Sequence, residues 1–94
     1  MSDLASQRRL LVAGAINTDL VGQVARAPRA GETITGTGFE VFGGGKGANQ
    51  AVAAARQGAN VAMIGRVGND SFGPFLTANL KSNRVDASHV ITND

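Results

Sequence analysis

Three short apolar runs punctuate the chain, and between them lie stretches in which apolar residues recur every three or four positions. Runs of the first kind read as strands and stretches of the second as helices, so their alternation predicts an α/β layer built on a parallel sheet. The first run, Leu10-Leu11-Val12-Ala13-Gly14-Ala15-Ile16, lies between Arg9 and Asn17 and has the unbroken character of a strand buried on both faces. A second strand is expected over residues 60–68 and the approach to a third at residues 89–92. Ala48, Ala51, Val52, Ala55 and Ala59 keep helical spacing, and Gly58 stands where a helix would stop, so a helix is expected from Lys46 to Gln57. Its many alanines imply close backbone packing. Another helix opens in Asn69-Asp70-Ser71-Phe72-Gly73-Pro74, which offers several N-caps and an early proline, and it ends near Asn83.

The segment between the first strand and the first helix breaks this rhythm. From Leu20 to Ala27 the pattern loosens, Pro28-Arg29-Ala30-Gly31 makes a turn, and residues 33–42 carry β-branched side chains and glycines in partial alternation. Two half-exposed strands within residues 18–42 are expected, a flap inserted into a βαβ unit beside the start of the helix. A flap with one apolar side covers a ligand or pairs with another subunit.

Composition narrows the class. Ninety-four residues with 43% hydrophobic content describe one soluble globular unit or a piece of one. A formal charge of +2 with charged residues at 17%, evenly spread, argues against nucleic acid or an anionic membrane as partner. The absence of cysteine removes disulfides, thiol nucleophiles and thiolate metal sites, and the single His89 cannot make a metal site. The polar opening Met1 to Gln7 and the short apolar run after it carry neither a signal peptide nor a membrane span, so a cytoplasmic home is expected. Glycine, 13 of 94 residues, clusters between Gly31 and Gly73, where a site is suspected.

The densest chemistry is Gly43-Gly44-Gly45-Lys46-Gly47-Ala48-Asn49-Gln50 at the head of the first helix. Glycines admit a ligand close to the backbone, the helix N-terminus offers N–H donors and the positive end of a dipole, and Lys46 and Asn49 add a charge and an amide. A tight strand-to-helix connection is the plain alternative, under which Lys46 has no task. The stretch is not a Walker loop, because position 40 is Glu and position 47 is Gly, nor a dinucleotide fingerprint, because Gly43 and Gly45 are followed by Ala48. Asn17 and Asp19 fall at the carboxyl end of the first strand, where open α/β sheets bind ligands, and they read equally as hydroxyl-gripping or turn-forming residues. Gly31-Glu32-Thr33 reads as a turn, Asp70 as a helix cap, His89 as solvent-facing, and Arg66 as solvated or capping rather than anion-binding.

Together these residues resemble the amino-terminal third of the ribokinase/PfkB family of carbohydrate kinases, which also contains fructokinases and adenosine kinase. The match runs from about Leu10 to Asn93 and rests on Gly14-Ala15-Ile16-Asn17-Thr18-Asp19, Pro28-Arg29-Ala30-Gly31-Glu32-Thr33, Gly44-Gly45-Lys46-Gly47-Ala48-Asn49-Gln50-Ala51, Gly58-Ala59 and Gly65-Arg66-Val67-Gly68-Asn69-Asp70-Ser71-Phe72-Gly73. Lys46-Gly47-Ala48-Asn49-Gln50 favours the ribokinase branch. The resemblance implies that Asn17 and Asp19 bind sugar hydroxyls, that Gly45, Lys46, Gly47, Ala48 and Asn49 wrap the sugar, and that the flap is a β-sheet lid, including Gly31, Glu32 and Thr33, hinged at Gly44-Gly45. It also implies a homodimer through the lid.

Members of the family run to roughly three times this length, and their second signature, Asp-Thr-x-Gly-Ala-Gly-Asp, does not occur here. By the resemblance, the aspartate base, the anion hole and the ATP, Mg2+ and K+ sites belong to that missing part, so no catalytic residue and no metal ligand is expected in residues 1–94, which form the amino-terminal part of one ribokinase-like domain. The expected parent activity is ATP-dependent phosphorylation of ribose at its 5-hydroxyl, with fructose or a nucleoside as alternative acceptor, while the 94 residues alone are inactive. The other reading is a non-catalytic sugar-binding or assembly module.

Overall fold

The computed structural model describes residues 9–94, so the polar segment Met1 to Gln7 lies outside the described residues. Strands β1 (Leu10–Ala13), β4 (Val61–Gly68) and β5 (Asp86–Asn93) form a parallel sheet in the order β1-β4-β5. Strands β2 (Asn17–Gln23) and β3 (Gly38–Gly44) pair antiparallel as a separate two-stranded ribbon, and helices α1 (Lys46–Arg56) and α2 (Phe72–Ser82) follow β3 and β4. The expected fold class, a βαβ start of a parallel sheet with helices and an inserted small β-sheet, is the one observed.

Helices form one layer over one sheet face because their small and apolar stripes coincide there. Ala48, Ala51 and Ala55 of α1 and Leu76 and Leu80 of α2 meet Val61, Met63 and Val67 of β4, with Val85 and Ala87 closing the edge beside β5. Met63, Leu80 and Val61 are the largest side chains fully enclosed there. Alanine at three α1 positions lets that helix backbone lie close to the strands. The opposite sheet face carries Leu11, Ile64 and Ile91 with Ser88 and His89 around an open hollow of about 400 Å³. No helix among the described residues lies on it.

Element boundaries depart from the sequence pattern at several places. Strand β1 stops at Ala13, not Ile16, because Gly14-Ala15-Ile16 crosses over α1 and Asn17 already pairs with Gly44 in the ribbon. Asn17 and Asp19 therefore stand inside β2 rather than in a turn after β1. Strand β3 begins at Gly38, well after Thr33, and it runs through Gly43 and Gly44. Residues 24–37 make a long loop instead of a tight connection, closed at its base by Thr37 N donating to Gln23 O (2.7 Å) and folded on itself at the tip. There Glu32 N donates to Arg29 O (3.0 Å), with Gly31 at φ 74° in the turn, and Glu32 accepts two bonds from Arg26 (2.7 and 2.8 Å) and one from Arg29 N (2.9 Å). Strand β5 starts at Asp86 rather than His89, since pairing with β4 overrides the polar character of Asp86 and Ser88.

Candidate functional site

The ribbon's pleat sorts its side chains onto two faces. Leu20 opposite Val41 and Phe39 opposite Gly22 make one face apolar, while Asn17 opposite Gly44, Asp19 opposite Phe42 and Val21 opposite Glu40 make the other mixed. Leu20, Phe39 and Phe42 are all about half exposed or more. Asp19 packs its carboxylate directly over Gly44, in the space that any larger residue at 44 would fill. Asn17 and Asp19 are thereby held beside the exit of β3, at the root of α1.

Two contacts position that root. Gly45 adopts φ 95°, and a Cβ there would stand 2.5 Å from Ala15 O and 3.0 Å from Asn17 N. A Cβ on Gly47 would stand 2.9 Å from Gly14 Cα and 3.0 Å from Ala15 N, so the first turn of α1 lies backbone to backbone against the β1–β2 crossing. Ala48 N donates to Ala15 O (3.0 Å), and the helical ladder starts with Asn49 N to Gly45 O (2.9 Å). Gly45 brings no side-chain cap, and no acidic residue lies in the first turn. The first-turn N–H groups of Lys46 and Gly47 are donors the helix itself does not use.

The predicted site residues are brought together unequally. Asn17, Asp19, Gly44, Gly45, Gly47 and Ala48 share the root of the ribbon, with Gly47 and Ala48 buried. Lys46 and Asn49 are exposed on α1, and neither side chain hydrogen-bonds Asn17 or Asp19. Asn49 instead borders a cleft of about 320 Å³ between α1 and α2, with Gly43, Arg56, Asn79 and Asn83 among its walls. Gly31, Glu32 and Thr33 lie at the loop tip, where Arg26 first and the Arg29 backbone second hold the Glu32 carboxyl below its usual range. Gly14 and Ala15 also build the site, and the isolated glycine inside the first apolar run was the available signal for their close approach.

The other marked residues have structural tasks. Asp70 Oδ1 accepts from Phe72 N and Gly73 N (3.0 Å each) and so caps α2. Arg66 Nη1 donates to Asn93 Oδ1 (2.7 Å) across β4 and β5. His89 is exposed. Among the described residues there is no cluster of His, Asp and Glu of the kind that holds a metal ion, and no helix long and apolar enough to cross a membrane.

What the root can do chemically is bind a polar, hydroxyl-bearing ligand: Asn17 supplies donors and an acceptor, Asp19 strong acceptors, and the uncapped helix start donors and positive potential. The chain is 49% identical to the ribokinase of Bacillus subtilis (strain 168) over 83 residues, covering 88% of this chain and 28% of that protein. It is 51% identical to the ribokinase of Mus musculus over 76 residues, covering 81% of this chain and 24% of that protein. Arabidopsis thaliana ribokinase, solved in complex with ribose and ATP, superposes with a TM-score of 0.75 at 32% identity, over 87% of this chain and 27% of that one. The chain thus spans about a quarter of the length of the relatives it matches. The model of the pfkB family carbohydrate kinases matches residues 7–94, nearly the whole sequence, and this chain belongs to that family.

Proposed function

We propose that these 94 residues are the amino-terminal part of a ribokinase-like domain whose parent protein phosphorylates ribose at the 5-hydroxyl with ATP. The observation that carries this reading is the root of the ribbon: an uncapped, glycine-built helix start set against Asn17 and Asp19, in a chain about half identical to ribokinases. In this reading Asp19 and Asn17 accept and donate to the sugar hydroxyls. The Gly45, Gly47 and Ala48 backbone lines the sugar, and Lys46 and Asn49 close on it from α1. Their present separation from Asn17 and Asp19 fits a site that assembles when the ribbon closes. Closure excludes water, which favours transfer to the sugar over hydrolysis.

Gly44 and Gly45 serve as hinge, Gly31, Glu32 and Thr33 as the tip of the lid, and the apolar face carrying exposed Leu20 and Phe39 beside half-buried Val41 as the surface that pairs with the lid of a second copy. ATP, Mg2+ and K+ would be held by residues outside these 94, and a cytoplasmic setting fits the absence of cysteine. ATP supplies the phosphoryl group, and the residues described here bind and orient its acceptor. A polypeptide limited to residues 1–94 therefore binds sugar without turnover.

A coupled assay of ADP release on the intact parent protein, with ribose, fructose and adenosine as competing acceptors, tests the proposal. Preferential turnover of ribose with formation of ribose 5-phosphate is expected. Preference for another acceptor would replace the substrate, and saturable ribose binding with no turnover of any acceptor would leave a sugar-binding module.

A further inference from the structure

Gly43 stands two residues before the positive-φ Gly45, on the ribbon face opposite Asp19, and the side chain of Asn79 from α2 lies across it. A Cβ on Gly43 would stand 2.6 Å from Asn79 Nδ2 and 3.1 Å from its Cγ. Asn79 is braced from behind. Asn83 Nδ2 donates to the main-chain carbonyl oxygen of Asn79 (2.8 Å) and, at 3.5 Å, to its side-chain Oδ1, and Arg56 Nε on α1 donates to Asn83 Oδ1 (2.9 Å). Asn79 Nδ2 itself makes no hydrogen bond among the described residues, and it lies at the cleft that Asn49 also borders. A line of side chains therefore runs from α1 through the end of α2 to the base of the ribbon.

Such support has a mechanical consequence. The ribbon is tied to the sheet and helices through residues 14–16 and the Gly44-Gly45 step, and glycine leaves the exit angle locally undetermined. Tertiary contact at the base must set it. A seven-residue strand reaches roughly 23 Å at about 3.3 Å per residue, so a small rotation at Gly43 is magnified along the ribbon.

We propose that Asn79 is a positioning residue: braced by Asn83 and Arg56, it sets the resting angle of the ribbon at the glycine hinge and thereby the approach of Asp19 to the start of α1. The functional half of this inference rests on the sugar site proposed above; the mechanical half does not. Asn79→Ala removes the support, and Gly43→Ala crowds it. Because the two side chains occupy one space, the double variant relieves the crowding, and the effects are not additive.

The test uses the intact parent protein with spin labels on cysteines placed at Arg29 in the loop tip and at Lys81, which faces away from Asn79 on α2. Distances are measured without sugar, and ribose KM and kcat are measured on the unlabelled variants. Asn79→Ala is expected to broaden the distance distribution and to raise KM about fivefold with kcat changed less than about twofold. Gly43→Ala should shift the mean distance, and Gly43→Ala/Asn79→Ala should return it toward the wild-type value. Unchanged distributions, additive shifts, or a KM change without a distance change would each overturn the proposal, as would broadening that leaves KM untouched in an active kinase. If the wild-type protein turns over no sugar while Asn79→Ala still broadens the distribution, the sugar-kinase reading fails and the mechanical role of Asn79 stands.

Discussion

The chain makes the strand-to-helix turn twice, and it finishes the two turns differently. At α2 the sequence satisfies its own helix start: the Asp70 carboxylate accepts from Phe72 N and Gly73 N. At α1 the corresponding place holds Gly45, with no side chain to offer, and a single outside acceptor, Ala15 O, takes the Ala48 N–H. The ends contrast as well. Helix α1 stops at Gly58 with φ 99°, the residue suited to a left-handed stop, whereas α2 stops at Arg84, which is held at φ 64°. A turn capped by its own carboxylate is closed to ligands, and one built from glycine and left open suits an oxygen-bearing guest. The comparison separates a turn that caps itself from one left open, the one to which the proposed function assigns binding.

Substitution at the open turn should have the largest effect. Gly45→Ala places a Cβ against Ala15 O and forces a left-handed alanine, a loss of about 2–4 kcal/mol in denaturant unfolding of the intact protein, with sugar use lost at the same time. Retention of wild-type stability and KM by Gly45→Ala would erase the distinction between the turns. Asp70→Ala should cost about 1 kcal/mol of stability while leaving sugar KM within about twofold of wild type. A large KM change there would move the closed turn into the site.

The helix stops give a pair of opposite, smaller shifts. Gly58→Ala meets open space and so reports the backbone alone, an expected loss of about 1 kcal/mol, while Arg84→Gly should gain up to about 1 kcal/mol by relieving the left-handed arginine. Melting temperatures moving in the same direction would refute this account of the stops. The smallest effect lies away from both turns. Hydrogen bonding from Ser88, hydroxyl first and backbone N–H second, with the Arg9 guanidinium, holds the Asp86 carboxyl well below the usual carboxylate range. A depressed folded pKa contributes stability above the unfolded value of about 3.9, and that stability is lost as pH falls through the folded value. Asp86→Asn should therefore flatten the acid limb of an unfolding titration and leave the neutral range with little pH dependence.

Periodicity alone determined most of the framework. The alanine spacing of α1 with Gly58 beyond it, the apolar run of β4 and the cap-rich start of α2 were each legible, because burying a stripe or a face requires a particular residue at a particular interval. The run of glycines before Lys46 likewise announced a turn with close backbone approach, since that much conformational freedom is costly unless something comes near the backbone, and Gly14 and Ala15 do so at Gly45 and Gly47.

Other features required the folded chain. Strand β1 stops at Ala13 although its apolar run continues to Ile16, because the crossing over α1 and the pairing of Asn17 with Gly44 decide where a strand ends. The sorting of Asp19 and Gly43 onto opposite ribbon faces depends on cross-strand register, and a one-residue slip would have reversed it. Neither the support of Gly43 by Asn79, 36 residues further along (79 minus 43), nor the Arg56–Asn83 brace behind it leaves a local trace. Local sequence determines which segments bury a stripe and where glycine loosens the backbone; which residue stands against a given glycine is decided only when distant helices pack against it.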